Sequence, residues 1–338
     1  MRALVTGATG FLGSALLRRL LSEGVQVRVV LREGSDARGL DAIEAAHPGV
    51  RLQRVVLDLE SDVPALSEAL RDIDVVFHLA ATLTGGVGAV MRGTLATSDT
   101  LLRALRQQTA RPRVVLVGSV AVHGTADLPR DAIVDDDTPL DRHPSRRDAY
   151  AHAKLLQERM FRDQCARHAI PLVIARPGVL YGPGRLQPSS RVGFGPVAGW
   201  FLLLGADNPL PLVHVDNCAA ALAWLARHAG CAGEACNIVD SPQPGCREYL
   251  QRYRATCAPG LRIVAVPAPA ARLLAHCLPW LHARSRGRVP LLLSPYRWAS
   301  SWRPLRYGST RLASLGFVAP LPVPAALASA FGEAPPTE

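Results

Sequence analysis

Apolar positions along this chain come in two periods. A short apolar run lies between Arg2 and Thr6, and residues 14–21 then carry apolar side chains at helical spacing. A second run, Val25–Leu31, follows one helix later, and others stand at Val114–Val117 and Leu172–Ile174. Short continuous apolar runs bounded by turn residues mark strands buried on both faces, and their alternation with helical segments predicts an α/β fold built on a parallel, doubly wound sheet. After Arg176-Pro177 the texture turns irregular and rich in Gly and Pro as far as about residue 211, while the strand-like Cys236–Asp240 is predicted to return to the main sheet. The expected organisation is one sheet domain from residues 1–176 and about 212–240, with a smaller interleaved lobe from about 177–211 and 241–338. No internal repeat or low-complexity linker separates the two.

The first turn carries chemistry. Gly7, Gly10 and Gly13 stand between the first strand and the first helix. Glycines so spaced permit a tight turn, a close backbone approach to a pyrophosphate and close helix packing, with the phosphates on the helix N-terminus. Alone the pattern is weak. Its place, straight after a strand and one helix before another, predicts dinucleotide binding.

Composition singles out one residue. Lys154 is the only lysine among 338 residues, against 37 arginines, which points to a position where arginine is not expected to serve. Lysine is a compact ammonium of tunable pKa, whereas arginine is a planar fork that is always charged. Tyr150 lies four residues earlier, one turn away on the same helix face. An ammonium beside a phenol is expected to lower the phenol's pKa from about 10 toward working pH, as proton transfer requires.

Other bounds are broad. The length suits one large or two interlocked domains with an ample core. A content of 49% hydrophobic and 20% charged residues is ordinary for a soluble globular protein. No apolar run reaches the roughly 18 residues of a membrane span, and a strand starting at residue 3 leaves no room for a signal peptide, so a cytoplasmic protein is expected. Seven scattered cysteines without zinc spacing read as reduced thiols, and no metal site is expected.

Several motifs together resemble the extended short-chain dehydrogenases/reductases of the NAD-dependent epimerase/dehydratase superfamily. They are Thr6–Gly13, Asp58-Leu59, residues 78–81, Gly118–Gly124, Tyr150 with Lys154, Arg176–Pro183 and Val213–Asn217, in the family's order and spacing. The resemblance implies a Rossmann-like sheet domain with a substrate-binding lobe. It implies Tyr150 as general acid/base, Lys154 on the nicotinamide ribose, and Ser119 donating to the substrate oxygen. It further implies a cofactor held by Gly7, Gly10, Phe11, Leu12, Gly13, Arg32, Asp58, Leu59, Ala80, Ala81, Tyr150, Lys154 and Pro177. Asp58 is read as accepting from the adenine amino group, or else as a turn residue, and His78 as a satisfied strand-end histidine. Two departures stand out: Thr94 and Thr97 occupy the asparagine and glycine positions of a frame linked to proton relay, and His123 replaces the usual tyrosine before Gly124.

NAD-preferring relatives place an acid after the second strand; this chain has Leu31 and Arg32. A guanidinium suits a 2′-phosphate, which favours NADP(H) and leaves NAD(H) open. From Tyr249 to Gly332 there are 11 arginines and no acidic residue, beside a net charge of +10 for the whole chain. That asymmetry fits an anionic small-molecule substrate, such as a nucleotide sugar or a carrier-linked acyl group. It also fits peripheral contact with an anionic membrane through Pro269–Ala283, or solvated faces alone. No base-reading motif accompanies the charge, so nucleic acid is not an expected partner; a homodimer is compatible. The function expected is NAD(P)-dependent ketone reduction or secondary-alcohol oxidation on a ring substrate. Alternatives are a nucleotide-sugar epimerase with tightly bound NAD, a steroid or lipid 3-hydroxy dehydrogenase, and a non-catalytic NADP-binding module.

Overall fold

A computed structural model describes residues 1–82, 85–286, 288, 291 and 293–333. Its centre is a seven-stranded sheet of β1 (Arg2–Thr6), β2 (Gln26–Leu31), β3 (Leu52–Val56), β4 (Val75–His78), β5 (Arg113–Val117), β7 (Leu172–Pro177) and β12 (Ala235–Ile238). The spatial order is β3-β2-β1-β4-β5-β7-β12, and every neighbouring pair is parallel. Parallel strands need helical crossovers on both faces, which explains why β1 is buried from Ala3 to Thr6 with no polar alternation. Helices α1 (Phe11–Ser22), α2 (Arg38–Ala45) and α6 (Val215–Arg227) pack on one face around Leu16, Leu20 and Leu222. On the other, α3 (Val63–Ala69), α4 (Val87–Arg106) and α5 (Ala149–Arg167) pack around Leu66, Leu101 and Phe161. Residues 236–238 join the sheet beside β7, as the strand-like pattern predicted.

The order reverses between β1 and β4, and the crevice at the carboxyl ends of these strands is where such sheets take ligands. An ion pair steadies α5 beside it. Arg176 of β7 donates to both carboxylate oxygens of Glu158, at 3.0 and 2.6 Å, with both side chains buried. Burial pushes Glu158 up, but Arg176 and Arg162 outweigh it and hold its carboxyl below the ordinary range.

The rest of the chain adds small sheets and helices. β8 (Val179–Tyr181) pairs with β11 (Leu212–His214), β9 (Gly193–Val197) and β10 (Trp200–Leu203) pair with β13 (Arg262–Ala265), and β6 (Ile133–Val134) pairs with β14 (Arg306–Tyr307). Residues 177–211 therefore hold three short strands where the sequence read as irregular. Trp200–Leu203 has four apolar residues in a row, so its alternation of exposed and buried positions is invisible in the sequence. Around these sheets stand α7 (Cys246–Cys257), α8 (Ala268–Arg284), α9 (Pro295–Trp302), α10 (Thr310–Ser314) and α11 (Val323–Phe331). Helix α8 buries Ala271 and Ala275 but exposes Leu273, Leu274 and Trp280. Among the described residues no helix is long and apolar enough to cross a membrane. All seven cysteines are free thiols.

Candidate active site

A cleft of about 1070 Å³ opens at the carboxyl edge of the sheet. Its floor is the glycine turn. Gly7 adopts φ of +73°, open to glycine without strain, and a Cβ on Gly13 would stand 2.2 Å from the Gly7 carbonyl oxygen. The helix can therefore start this close to the strand only with glycine at both positions. Gly10 is the N-cap of α1 and offers no side-chain cap, which leaves first-turn N–H groups for an anion. The cleft is lined further by Phe11, Leu12, Leu31, Arg32, Leu59, Ala80, Ala81, Ser119, Tyr150, Lys154 and Pro177. A glycine cradle at a bare helix terminus, within a cleft of this size, fits a dinucleotide with room beyond it.

Asp58 is not among the lining residues. Its exposed carboxylate accepts from Ser61 Oγ at 2.5 Å and Glu60 N at 3.0 Å, which makes it the hinge of the turn after β3. Arg32 faces the cleft beside Ser35, whose Oγ accepts from the Arg32 backbone N–H, and its charge helps hold Asp58 below the ordinary carboxylate range after the Ser61 and Glu60 hydrogen bonds.

Ser119 follows β5 and caps the short helical turn 120–122, where its Oγ accepts from Ala121 N at 3.2 Å. Its hydroxyl is near enough to Tyr150 to pull that phenol's pKa down; Tyr150 stands in the first turn of α5, a helix capped by Asp148 accepting from Ala151 N at 2.9 Å. Here the structure departs from the expected electrostatics: the Tyr150 phenol is raised above its ordinary value, not lowered. Burial outweighs the Ser119 hydroxyl and the positive charge of Arg185, which pull it down. Lys154 Nζ instead donates to the Val117 carbonyl at 2.8 Å and to Gln157 Oε1 at 2.9 Å. With no carboxylate partner among the described residues, burial lowers its pKa to about 7.

Behind the lysine runs a buried polar chain that sequence reasoning missed. Gln157 Nε2 donates to Ser98 Oγ at 2.8 Å, Ser98 donates to the Thr94 carbonyl at 2.7 Å, and His78 Nε2 pairs with Ser98 Oγ at 3.2 Å. His78 Nδ1 meets Thr6 Oγ1 at 2.9 Å, and burial holds its pKa down at about 3, so it is a satisfied neutral histidine. Thr94 Oγ1 accepts from Thr82 N at 3.3 Å, and Thr97 lines the cleft. His123 is fully buried and lies away from the cleft wall, held by the Thr138 carbonyl at 2.8 Å and Asn237 Oδ1 at 2.9 Å. It joins β12 to the loop after β5. Arg147, Arg185 and Arg191 also line the cleft; arginine is so abundant here that no pattern in the sequence marked these three.

A glycine turn at the switch point of this sheet, with Ser119 after β5 and Tyr150 and Lys154 on α5 lining the same cleft, defines a dinucleotide-binding protein of the extended short-chain dehydrogenase/reductase class. More particularly, the chain belongs to the NAD dependent epimerase/dehydratase family, whose sequence model matches residues 3–238. It is similar to D-erythronate dehydrogenase of Cupriavidus necator, 34% identical over 199 residues that are 53% of this chain and 57% of that one. It thus spans little more than half of that relative's length. It is also similar to 2-alkyl-3-oxoalkanoate reductase of Stenotrophomonas maltophilia, 29% identical over 303 residues, or 86% of this chain and 87% of that one. Among solved structures, UDP-glucose 4-epimerase of Bifidobacterium longum in complex with NAD+ and UDP matches with a TM-score of 0.72 over 98% of this chain and 97% of that chain. At 19% identity that likeness is one of fold.

Proposed function

We propose that this protein is a cytoplasmic NADP(H)-preferring oxidoreductase that interconverts a ketone and a secondary alcohol. The observation that carries the reading is that Ser119, Tyr150, Lys154 and the glycine turn line one cleft. A bound nicotinamide would supply the hydride acceptor or donor. Tyr150 then gives a proton to the substrate oxygen in reduction and takes it back in oxidation. Ser119 donates to the same oxygen as charge builds on it. Lys154, fixed at Val117 and Gln157, presents its remaining donor to the cofactor ribose and supplies positive charge to the site. Gly7, Gly10 and Gly13 admit the pyrophosphate, and Arg32 meets the 2′-phosphate.

Support for hydride transfer to or from an external substrate comes from the relatives, whose names describe a dehydrogenase and a reductase. An epimerase would keep its NAD between turnovers. Native mass spectrometry of the purified protein with calorimetric titration tests the proposal: an empty site that takes NADP(H) more tightly than NAD(H) supports it. Stoichiometric retained NAD would replace it with the epimerase reading.

A further inference from the structure

Hydride and proton transfer leave three arginines of the cleft unused. Arg147, Arg185 and Arg191 all line it. Arg147 stands three residues before Tyr150 and is almost wholly buried, 5% exposed. Its Nη1 donates to Asp141 Oδ2 at 2.9 Å and to the His123 carbonyl at 3.2 Å, while Nε meets no acceptor. Asp141 Oδ1 is turned to other donors, accepting from the Tyr296 hydroxyl at 2.6 Å and His143 N at 2.7 Å, and Oδ2 meets Nη1 rather than Nε. A buried donor without an acceptor is costly inside a protein and asks for one. Arg147 is itself among the residues that line the cleft.

Arg185 is exposed, its guanidinium 5.5 Å from the centroid of the Phe11 ring, and it forms no ion pair among the described residues. Its charge reaches the Tyr150 hydroxyl. Arg191 donates to the Tyr307 hydroxyl at 2.9 Å and likewise has no carboxylate partner among the described residues. The acids along the cleft are Glu60, beside Leu59 at the opposite end, and Asp148, whose carboxylate caps α5. Positive charge therefore gathers around Tyr150, carried mostly by planar guanidinium groups, the donor shape that matches a carboxylate.

Resting on the oxidoreductase reading above, we propose that Arg147 and Arg185 form a carboxylate-binding pair, and that the substrate is an oxo acid or hydroxy acid whose reacting carbon lies one or two bonds from its carboxylate. The short reach follows from the pair's place: one arginine enters just before the catalytic tyrosine in sequence, and the other acts on that tyrosine's hydroxyl. Arg191 is engaged by Tyr307, its guanidinium 5.2 Å from the ring centroid and its Nη1 on the hydroxyl, and is not part of the pair.

The test uses the NADP(H)-loaded protein and two readouts. Calorimetric titration with malonate, a dicarboxylate with the spacing of a 3-oxo acid, is expected to show binding that Arg185→Gln weakens roughly tenfold or more, the loss typical of one charged contact. Steady-state turnover of 2-methyl-3-oxobutanoate against its methyl ester is expected to favour the acid by about 100-fold in kcat/KM, and Arg185→Gln is expected to shrink that ratio through KM. Arg147→Gln removes one partner of a buried ion pair and can fail to fold, so Arg147→Lys, which keeps the charge and loses the fork, serves beside it. Equal use of acid and ester, or no binding of malonate, overturns the carboxylate pair and leaves the oxidoreductase reading standing. Malonate binding without turnover of any ketone overturns the oxidoreductase reading and keeps the pair. If Arg185→Gln weakens cofactor binding and leaves the acid-to-ester ratio intact, Arg185 belongs to the pyrophosphate beside Phe11, and the pair is refuted.

Discussion

Gln157 accepts a hydrogen bond from Lys154 Nζ at 2.9 Å, one turn further along the same helix, and passes another from its Nε2 to Ser98 Oγ at 2.8 Å. The single lysine of the chain is thus held by neutral oxygens, the amide of Gln157 and the carbonyl of Val117, in a site that strips its water. That is why burial brings its pKa to about 7, and why the residue must be small, with donors radiating from one atom. Arginine is larger and its donors lie in one plane. Lys154→Arg is therefore expected to lower kcat about 100-fold despite keeping a positive charge, as read by steady-state kinetics. Full activity would mean that the lysine's size and donor geometry are irrelevant.

Tyr150→Phe removes the proposed proton donor while leaving the ring in its half-buried place. Cofactor affinity by calorimetry is expected to change little, and turnover to fall about 100-fold or more, the loss of one acid/base group. Turnover near wild type would assign the proton to another residue.

In the proposed reading, cofactor choice turns on Leu31, which ends β2, and Arg32 after it. A charge-assisted contact to phosphate contributes roughly 1.5 to 3 kcal/mol, so Arg32→Ala is expected to weaken NADP(H) about 10- to 100-fold and leave NAD(H) nearly unchanged. Leu31→Asp should move preference toward NAD(H) by adding repulsion of the 2′-phosphate as well as an acceptor for the ribose hydroxyl. Tighter binding of NAD(H) to the unmodified protein would place Arg32 outside the cofactor's reach.

Stability is expected to fall on mild acidification. His78 is buried neutral with its pKa lowered from 6.5 to about 3. Above pH 6.5 neither state binds the proton; below it the unfolded chain does and the folded protein does not, so stability drops by about 1.4 kcal/mol per pH unit until pH 3 is approached. His123 and His214, also lowered by burial, act in the same direction, and Asp240, raised to about 6 by burial, acts against them. Comparison with His78→Asn isolates the one group: between pH 7 and pH 5 the variant should lose about 2 kcal/mol less than wild type in urea unfolding. Equal losses in the two proteins would show that His78 is protonated in the folded state.

The exposed Leu273, Leu274 and Trp280 on α8 stand among Arg272, Arg284 and Arg286, an arrangement suited to the surface of an anionic bilayer. The protein is expected to sediment with phosphatidylserine-containing vesicles at low salt, to be released as salt rises, and to lose binding when Leu274→Gln and Trp280→Gln are combined. Recovery in the supernatant at low salt would reduce this face to a solvated one.

What the sequence determined by itself was local. Helical periodicity alone sets Tyr150 and Lys154 on one face, and the spacing of Gly7, Gly10 and Gly13 alone permits the turn between strand and helix, because both depend only on residues a few positions apart. The order of apolar runs carried the parallel sheet and the return of residues 236–238 to it. Packing decided the rest. It held the Asp58 carboxylate in its own turn, buried His123 against Asn237 across 114 residues of chain, and left Arg147 with an orphan donor at the cleft. It also raised Tyr150 where a neighbouring lysine suggested lowering, since a group's acidity follows from the water it loses and the charges that face it. Those are set by side chains from distant parts of the chain, and no local pattern encodes which of 37 arginines will share a cleft with one tyrosine.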